Sequence, residues 1–425
     1  MGGRSLLRLG RRQVRWWLVR FLYRMTDILG KTHRLIRPLP RTRPADDQRI
    51  RRILVIRLDL LGDLVMTLPA IEAVRTRWPA ARIAVLCTPA AREIAARSAA
   101  VDKVYTYDPH AVRSLQYWLR PQNYVELFGL INRLRAERFD LALSMCAEFA
   151  CLFAWASGAR HRVGYAHEAY PALLTLAVPG RRYIQPLGHE VQWNEHLAAA
   201  AGAPSVHAVP RLQPPVDQTE WLRSFLADDV GPDGYVVLSP GAHNGSAKRY
   251  LPRHWATVAN TLSAERGIRI ILSGVASDLP LAQELVALLD TPPLVAVGRT
   301  TLPQLLALLA GARLLLSGDS GPVHLAAAAG TPVVVVFGPT DPTVYRPYSD
   351  RATVVRMALP CSPCYDLRST AECRLGYHVP LCMELLSPRR VIAAAYHWLD
   401  ARTTADDGAG PELADRPFVM PRPMR

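Results

Sequence analysis

The sequence predicts an α/β protein built from two doubly wound, Rossmann-like domains. Three observations lead there. From Arg52 onward, short unbroken runs rich in β-branched residues alternate with segments of helical period, the pattern of parallel strands covered on both faces by helices. The alternation breaks at a Pro-rich passage, VPRLQPPVD (residues 209–217), and then restarts. With 425 residues, half of them apolar, the chain has material for two full cores.

In the first domain the expected strands are Ile53–Leu58, Arg82–Leu86, Lys103–Tyr105 and Asp140–Ser144, with helices between them such as Tyr124–Ala136. In the second they are Tyr235–Ser239, Arg269–Leu272, Leu294–Val297, Arg313–Leu316 and Pro332–Phe337, followed by a helix from Pro388 to Leu399. The expected divisions are an arm over 1–48, domains over 49–214 and 215–401, and a tail over 402–425 rich in Asp, Gly and Pro. Two such domains imply a ligand cleft between them.

Within RLDLLGDLVMTLPA (residues 57–70), Asp63 falls where the first strand gives way to a helix, with Leu64, Leu68, Ile71 and Val74 recurring at helical spacing. That is the end of an open α/β sheet where ligands bind. Asp is also among the best helix caps, so the position alone leaves two readings open, cap or reactive carboxylate.

Charge is lopsided. Residues 1–52 hold fifteen Lys or Arg against Asp27, Asp46 and Asp47, and so carry +12 of the net +15. The arm lacks both the apolar length of a membrane span and the cleavage site of a signal peptide. On a helix, Arg4, Arg8, Arg11, Arg12 and Arg15 fall opposite Leu6, Leu7, Leu9, Val14 and Trp17, as in a helix lying in a membrane interface. Trp16, Trp17, Phe21 and Tyr23 suit an anionic headgroup layer better than nucleic acid, and no nucleic-acid partner is expected. A solvated or packing helix is the plain alternative.

Several phosphate-binding devices are missing. No G-x-G-x-x-G follows either first strand, the lysine of GAHNGSAK stands three places after its glycine rather than one, and no D-x-D pair offers to hold a metal on a diphosphate. Protein groups would have to neutralise such a ligand. Two loops qualify. In GDSGPVHLAAAAG (residues 318–330), Ser320 and Gly321 open a helix whose free N–H groups and dipole favour an anion, with Asp319 and His324 beside them. The loop after YVVLSP supplies Lys248, one of only three lysines in the chain, whose ammonium suits diphosphate charge.

These blocks together, ILVIRLDLLGDLVMTLPAIEAVRTRWPAARI, PGAHNGSAKRYLPRHW and GDSGPVHLAAAAGTPVVVVFGPTDP, resemble the heptosyltransferases of glycosyltransferase family 9 from about Arg52 to Leu399. The resemblance implies the GT-B architecture of two facing Rossmann-like domains. It also implies metal-independent, inverting transfer of heptose from ADP-heptose to an inner-core sugar of lipopolysaccharide, by a peripheral protein on the cytoplasmic face of the inner membrane. By position, Asp63 matches the family's catalytic carboxylate and Lys248 its lysine near the donor phosphate and sugar. Asp319, Ser320, Gly321 and His324 match the donor-binding loop. Asp278 stands where the family usually has a Glu for the ribose hydroxyls. The resemblance moves Asp63 toward general base, with a capping role alongside. Transfer to protein, another nucleotide sugar, and a non-catalytic assembly factor are the alternatives.

Four of the seven cysteines, Cys361, Cys364, Cys373 and Cys382, form C-x2-C-x8-C-x8-C within segment 360–383. Four thiols suit structural zinc or iron, although two eight-residue gaps are not a standard spacing; free thiols or a redox pair are the other readings. Cys87, Cys146 and Cys151 lie in apolar segments and read as core. Arg160 and Arg162 are candidates to meet an acidic acceptor.

Overall fold

The computed structural model describes residues 49–109, 119–145, 149–180, 188–205, 208–242, 245–365 and 372–400, with Pro44, Ala111 and Tyr117. The basic arm, Cys146 and the expected tail thus lie outside the described residues, Pro44 apart. The chain divides into two compact units. One holds the described residues up to 187 and within 191–207, the other those of 188–190 and from 208 onward.

The first unit is a six-stranded sheet: β1 (Arg52–Arg57), β2 (Arg82–Cys87), β3 (Lys103–Thr106), β4 (Leu141–Ser144), β5 (His161–Tyr165) and β6 (Leu176–Val178). Their order is β3-β2-β1-β4-β5-β6, and every pair is parallel. In β1 and β2 only the leading arginine is exposed and the next five residues are buried, because helices cover both faces. Leu54, Ile56, Ala84 and Leu86 pack with Leu130, Leu134, Phe139 and Phe153 into a core.

The helical stretch after β1 is not continuous. It forms a short helix, Leu61–Val65, and restarts as Leu68–Arg77. Pro69 stands in the first turn of the second helix, where its missing N–H costs nothing; inside one long helix it would remove a bond and clash with the preceding turn.

The second unit repeats the design with β7 (Tyr235–Ser239), β8 (Arg269–Leu272), β9 (Leu294–Val295), β10 (Leu314–Gly318), β11 (Val333–Phe337) and β12 (Ala352–Arg356). The order is β12-β11-β10-β7-β8-β9, again wholly parallel. Each sheet therefore reverses direction between its first and fourth strands, at β1/β4 and at β7/β10, and such a switch point is where α/β sheets open a ligand crevice. Trp255, Leu262, Leu314, Val334 and Trp398 fill the core of this unit. These are the two Rossmann-like sheets that the sequence predicts. No helix among the described residues is long and apolar enough to cross a membrane.

Candidate functional site

In the second unit the two phosphate-binding candidates meet at the β7/β10 switch point. Lys248 ends a short 3-10 turn, Ser246–Lys248, on the loop that follows β7; Asp319 directly follows β10. Lys248 Nζ donates to Asp319 Oδ2 at 2.8 Å, and the two side chains are only 14% and 9% exposed. The loops approach closely because residue 318 is glycine: a Cβ there would stand 3.2 Å from the Lys248 carbonyl oxygen. An ion pair so withdrawn from water keeps the ammonium in place without exposing it.

Beside this pair the helix Gly321–Ala328 begins. Its N-cap, Ser320, does not cap: the hydroxyl turns back to Ser317 Oγ at 3.1 Å and to the Gly318 carbonyl at 3.3 Å. Pro322 has no N–H to satisfy, and the positive end of the helix dipole is left without a side-chain acceptor. His324 is buried in the same first turn. Lys248, Asp319, Ser320, Gly321 and His324 are thus gathered at one sheet end.

Asp278 lies one strand away, after β8, as the third residue of the turn Ala276–Asp278. Its Oδ2 accepts the Val275 N–H at 3.1 Å, and the carboxyl group is nearly buried. Gly241 makes room for it, since a Cβ at that position would meet Asp278 Oδ2 at 2.5 Å.

In the first unit Asp63 lies at the β1/β4 switch point, three residues beyond the N-cap of its helix. The N-cap is Leu60, whose side chain cannot accept a hydrogen bond, and Asp63 at the third helical position reaches back so that Oδ2 accepts the Leu60 N–H at 3.0 Å. The other oxygen, Oδ1, is 3.3 Å from Arg57. Arg57 is buried at the end of β1, where it also donates to the Met145 carbonyl at 2.9 Å and to Asn194 Oδ1 at 3.1 Å and pairs with Asp59 at 3.3 Å. Sequence reasoning passed over Arg57 as part of an apolar strand. A guanidinium in such a run, two and six residues before carboxylates, was the available signal.

Arg162 does not present itself to an acceptor. Its Nε donates to the Leu173 carbonyl and Nη1 to that of Ala159, both at 2.7 Å, so it braces β5 from within. Cys87 and Cys151 are fully buried, as core residues should be. Cys361, Cys364, Cys373 and Cys382 all line one cavity of about 310 Å³, and none is in a disulfide. Burial, reinforced by the neighbouring cysteines, pushes the Cys382 thiol up to about 12, and Cys364 is raised for the same reasons. Among the described residues no three His, Cys, Asp or Glu side chains lie close enough together to hold a metal ion. The donor chemistry suits a soft metal; the spacing in this structure is not that of a closed site.

Comparison with known proteins places these features in a family. The profile of glycosyltransferase family 9 (heptosyltransferase) matches residues 127–374. Lipopolysaccharide heptosyltransferase 2 of Salmonella typhimurium is 27% identical over 354 residues, covering 80% of this chain and 96% of that protein. Among solved structures, E. coli ADP-heptose lps heptosyltransferase II superimposes with a TM-score of 0.66 at 24% identity, covering 82% of this chain and 98% of that one. A family 9 glycosyl transferase from Veillonella parvula gives 0.70 at 21% identity, with 84% and 99% covered. The fold of these last two is that of the sheets described above, and the profile spans more than half of the sequence. The chain belongs to glycosyltransferase family 9, the heptosyltransferases, and is a glycosyltransferase.

Proposed function

We propose that this enzyme transfers heptose from ADP-heptose to an inner-core sugar of lipopolysaccharide, with inversion at the anomeric carbon and without a catalytic metal. The carrying observation is the Lys248–Asp319 pair beside the uncapped helix start at Gly321, a ready site for a diphosphate at a switch point. The relatives with closely similar sequence extents act, by name, on lipopolysaccharide, and one is named for ADP-heptose.

Asp63 takes the proton of the acceptor hydroxyl as that oxygen attacks the anomeric carbon from the face opposite the diphosphate. The bond from the anomeric carbon to the phosphate oxygen breaks. Charge gathering on the departing ADP is met by Lys248 and by the amides and dipole at Gly321, with Ser320 and His324 lining the same turn. Asp319 holds Lys248 until the phosphate arrives. Asp278 faces the ribose hydroxyls from the end of β8. Arg57 keeps the Asp63 carboxylate in one orientation, leaving the rest of its rim to the acceptor.

The basic arm docks this machinery on an anionic membrane surface, which places the enzyme on the cytoplasmic face of the inner membrane, where its lipid-linked acceptor is made. The four cysteines line a cavity outside the reaction itself, and their thiols would hold structural zinc or iron only by drawing closer together than they stand here.

Incubation with ADP-heptose and a heptose-deficient lipopolysaccharide core tests the proposal. ADP should appear only when both substrates are present, at an unchanged rate in EDTA, and NMR of the product should show the anomeric configuration opposite to the donor's. Retention of configuration, or turnover lost in EDTA while the melting temperature is unchanged, would overturn the mechanism.

A further inference from the structure

One contact of Lys248 comes from a distant part of the chain. Its Nζ lies 4.7 Å from the centre of the Tyr365 ring, over the face, in addition to its bond to Asp319. Tyr365 directly follows Cys364, and its position is fixed by the backbone. The N–H groups of Cys364 and Tyr365 both donate to the Pro339 carbonyl, at 2.8 and 2.7 Å, on the loop that follows β11. β11 is the sheet neighbour of β10, which Asp319 directly follows. The next sheet end is thereby used to bring an aromatic face to the lysine, and Ala247, the residue before Lys248, lines the cysteine cavity.

A lysine reaches its ligand through four rotatable bonds, so its ammonium is not fixed by the backbone alone. Before the donor arrives, Asp319 fixes it. Once a diphosphate enters, the ammonium is shared between two anions, and Asp319 then pulls it away from the phosphate. An aromatic ring attracts the cation through its quadrupole and makes no such claim on its hydrogen bonds, since none of the three N–H donors is consumed. Resting on the reading of Lys248 as the donor-phosphate group, we propose that Tyr365 is a positioning residue, whose ring face holds the Lys248 ammonium toward the diphosphate while Asp319 releases it.

The test is ADP binding by calorimetry in Tyr365→Leu, Tyr365→Phe, Lys248→Met and the Tyr365→Leu/Lys248→Met double variant, with competition by adenosine as the phosphate-free control and melting temperature as the check on folding. Tyr365→Leu should weaken ADP about 5- to 30-fold and leave adenosine unchanged. Tyr365→Phe, which keeps the ring, should bind like wild type. In the Lys248→Met background the Leu substitution should do nothing more. Equal weakening of ADP and adenosine, failure of Phe to rescue, or an undiminished effect without the lysine would each overturn the role of Tyr365. If Lys248→Met alone leaves ADP affinity unchanged, the reading of Lys248 fails and the inference falls with it, whatever Tyr365→Leu does.

Discussion

Arg57 holds Asp63 by one carboxylate oxygen while the Leu60 N–H holds the other. The residue expected to be either a helix cap or a base therefore performs the structural half of a capping box and is oriented by a buried cation at the same time.

Asparagine keeps the shape of Asp63 and an oxygen for the Leu60 N–H, but turns an amide toward Arg57. That mismatch costs about 1 kcal/mol and lowers Tm by a few degrees, Arg57 retaining Asp59, Asn194 and the Met145 carbonyl. Turnover should fall by ~10²-fold or more with ADP affinity unchanged, since general-base help is typically worth ~10²–10⁴. Steady-state kinetics beside a melting curve checks this; turnover within a few-fold of wild type would return Asp63 to a purely structural role.

Lys248→Met leaves the nearly buried Asp319 without its ammonium, a loss of about 3 kcal/mol. Adding Asp319→Asn should restore most of that stability in urea unfolding without restoring ADP binding. Recovery of both would mean that the pair serves the fold alone.

His189 gives the second unit a pH slope. Burial pushes its pKa from 6.5 down to about 3, with His324 and Arg346 nearby opposing a further positive charge; its bond to the Arg346 carbonyl, 2.6 Å long, works the other way. The unfolded chain then binds the proton more readily, so stability is intact above pH 6.5 and falls as pH drops from there toward 3, by at most ~1.4 kcal/mol per unit. His189→Gln, which keeps a donor for the carbonyl, should show a smaller drop in Tm between pH 7 and pH 5 than wild type. An unchanged drop would assign the slope to other groups.

If zinc or iron draws the four cysteines together into a closed site, elemental analysis of protein purified without a metal-affinity tag should find close to one metal ion per chain. Cys361→Ser with Cys364→Ser should remove it and lower Tm. Metal-free wild-type protein of the same stability would leave the four residues as thiols.

Deleting residues 2–44 should abolish binding to anionic vesicles while transfer to a soluble, delipidated acceptor stays near wild type. Vesicle binding that survives the deletion would move the membrane contact elsewhere in the chain.

The central strands were legible because burial on both faces writes itself as an unbroken apolar run: RILVIR, YVVLS and VVVVF need no partner to be recognised. The outer strands β5, β6 and β12 were not. HRVGY carries a His and an Arg into the sheet, and the carbonyls of Leu173 and Ala159, on the following segment and across a turn, help make that tolerable for Arg162. The two-helix form of the stretch after β1 was legible in principle from Pro69. Within the site, residues fixed by a local loop, such as Ser320 and Gly321, could be placed from sequence. The Lys248–Asp319 pair could be guessed only as two separate candidates, and the partners of Arg57 lie on segments up to 137 residues away, where no local pattern reaches.

The pairing of Lys248 with Asp319 also bears on how the donor arrives. A Lys248 ammonium already neutralised by Asp319, with both side chains nearly closed to solvent, projects little field beyond its own loop. For the proposed nucleotide donor, the contribution of this lysine then comes from contact and fit rather than from long-range attraction, and it resists changes in ionic strength, because screening acts weakly on charges that water and salt do not reach.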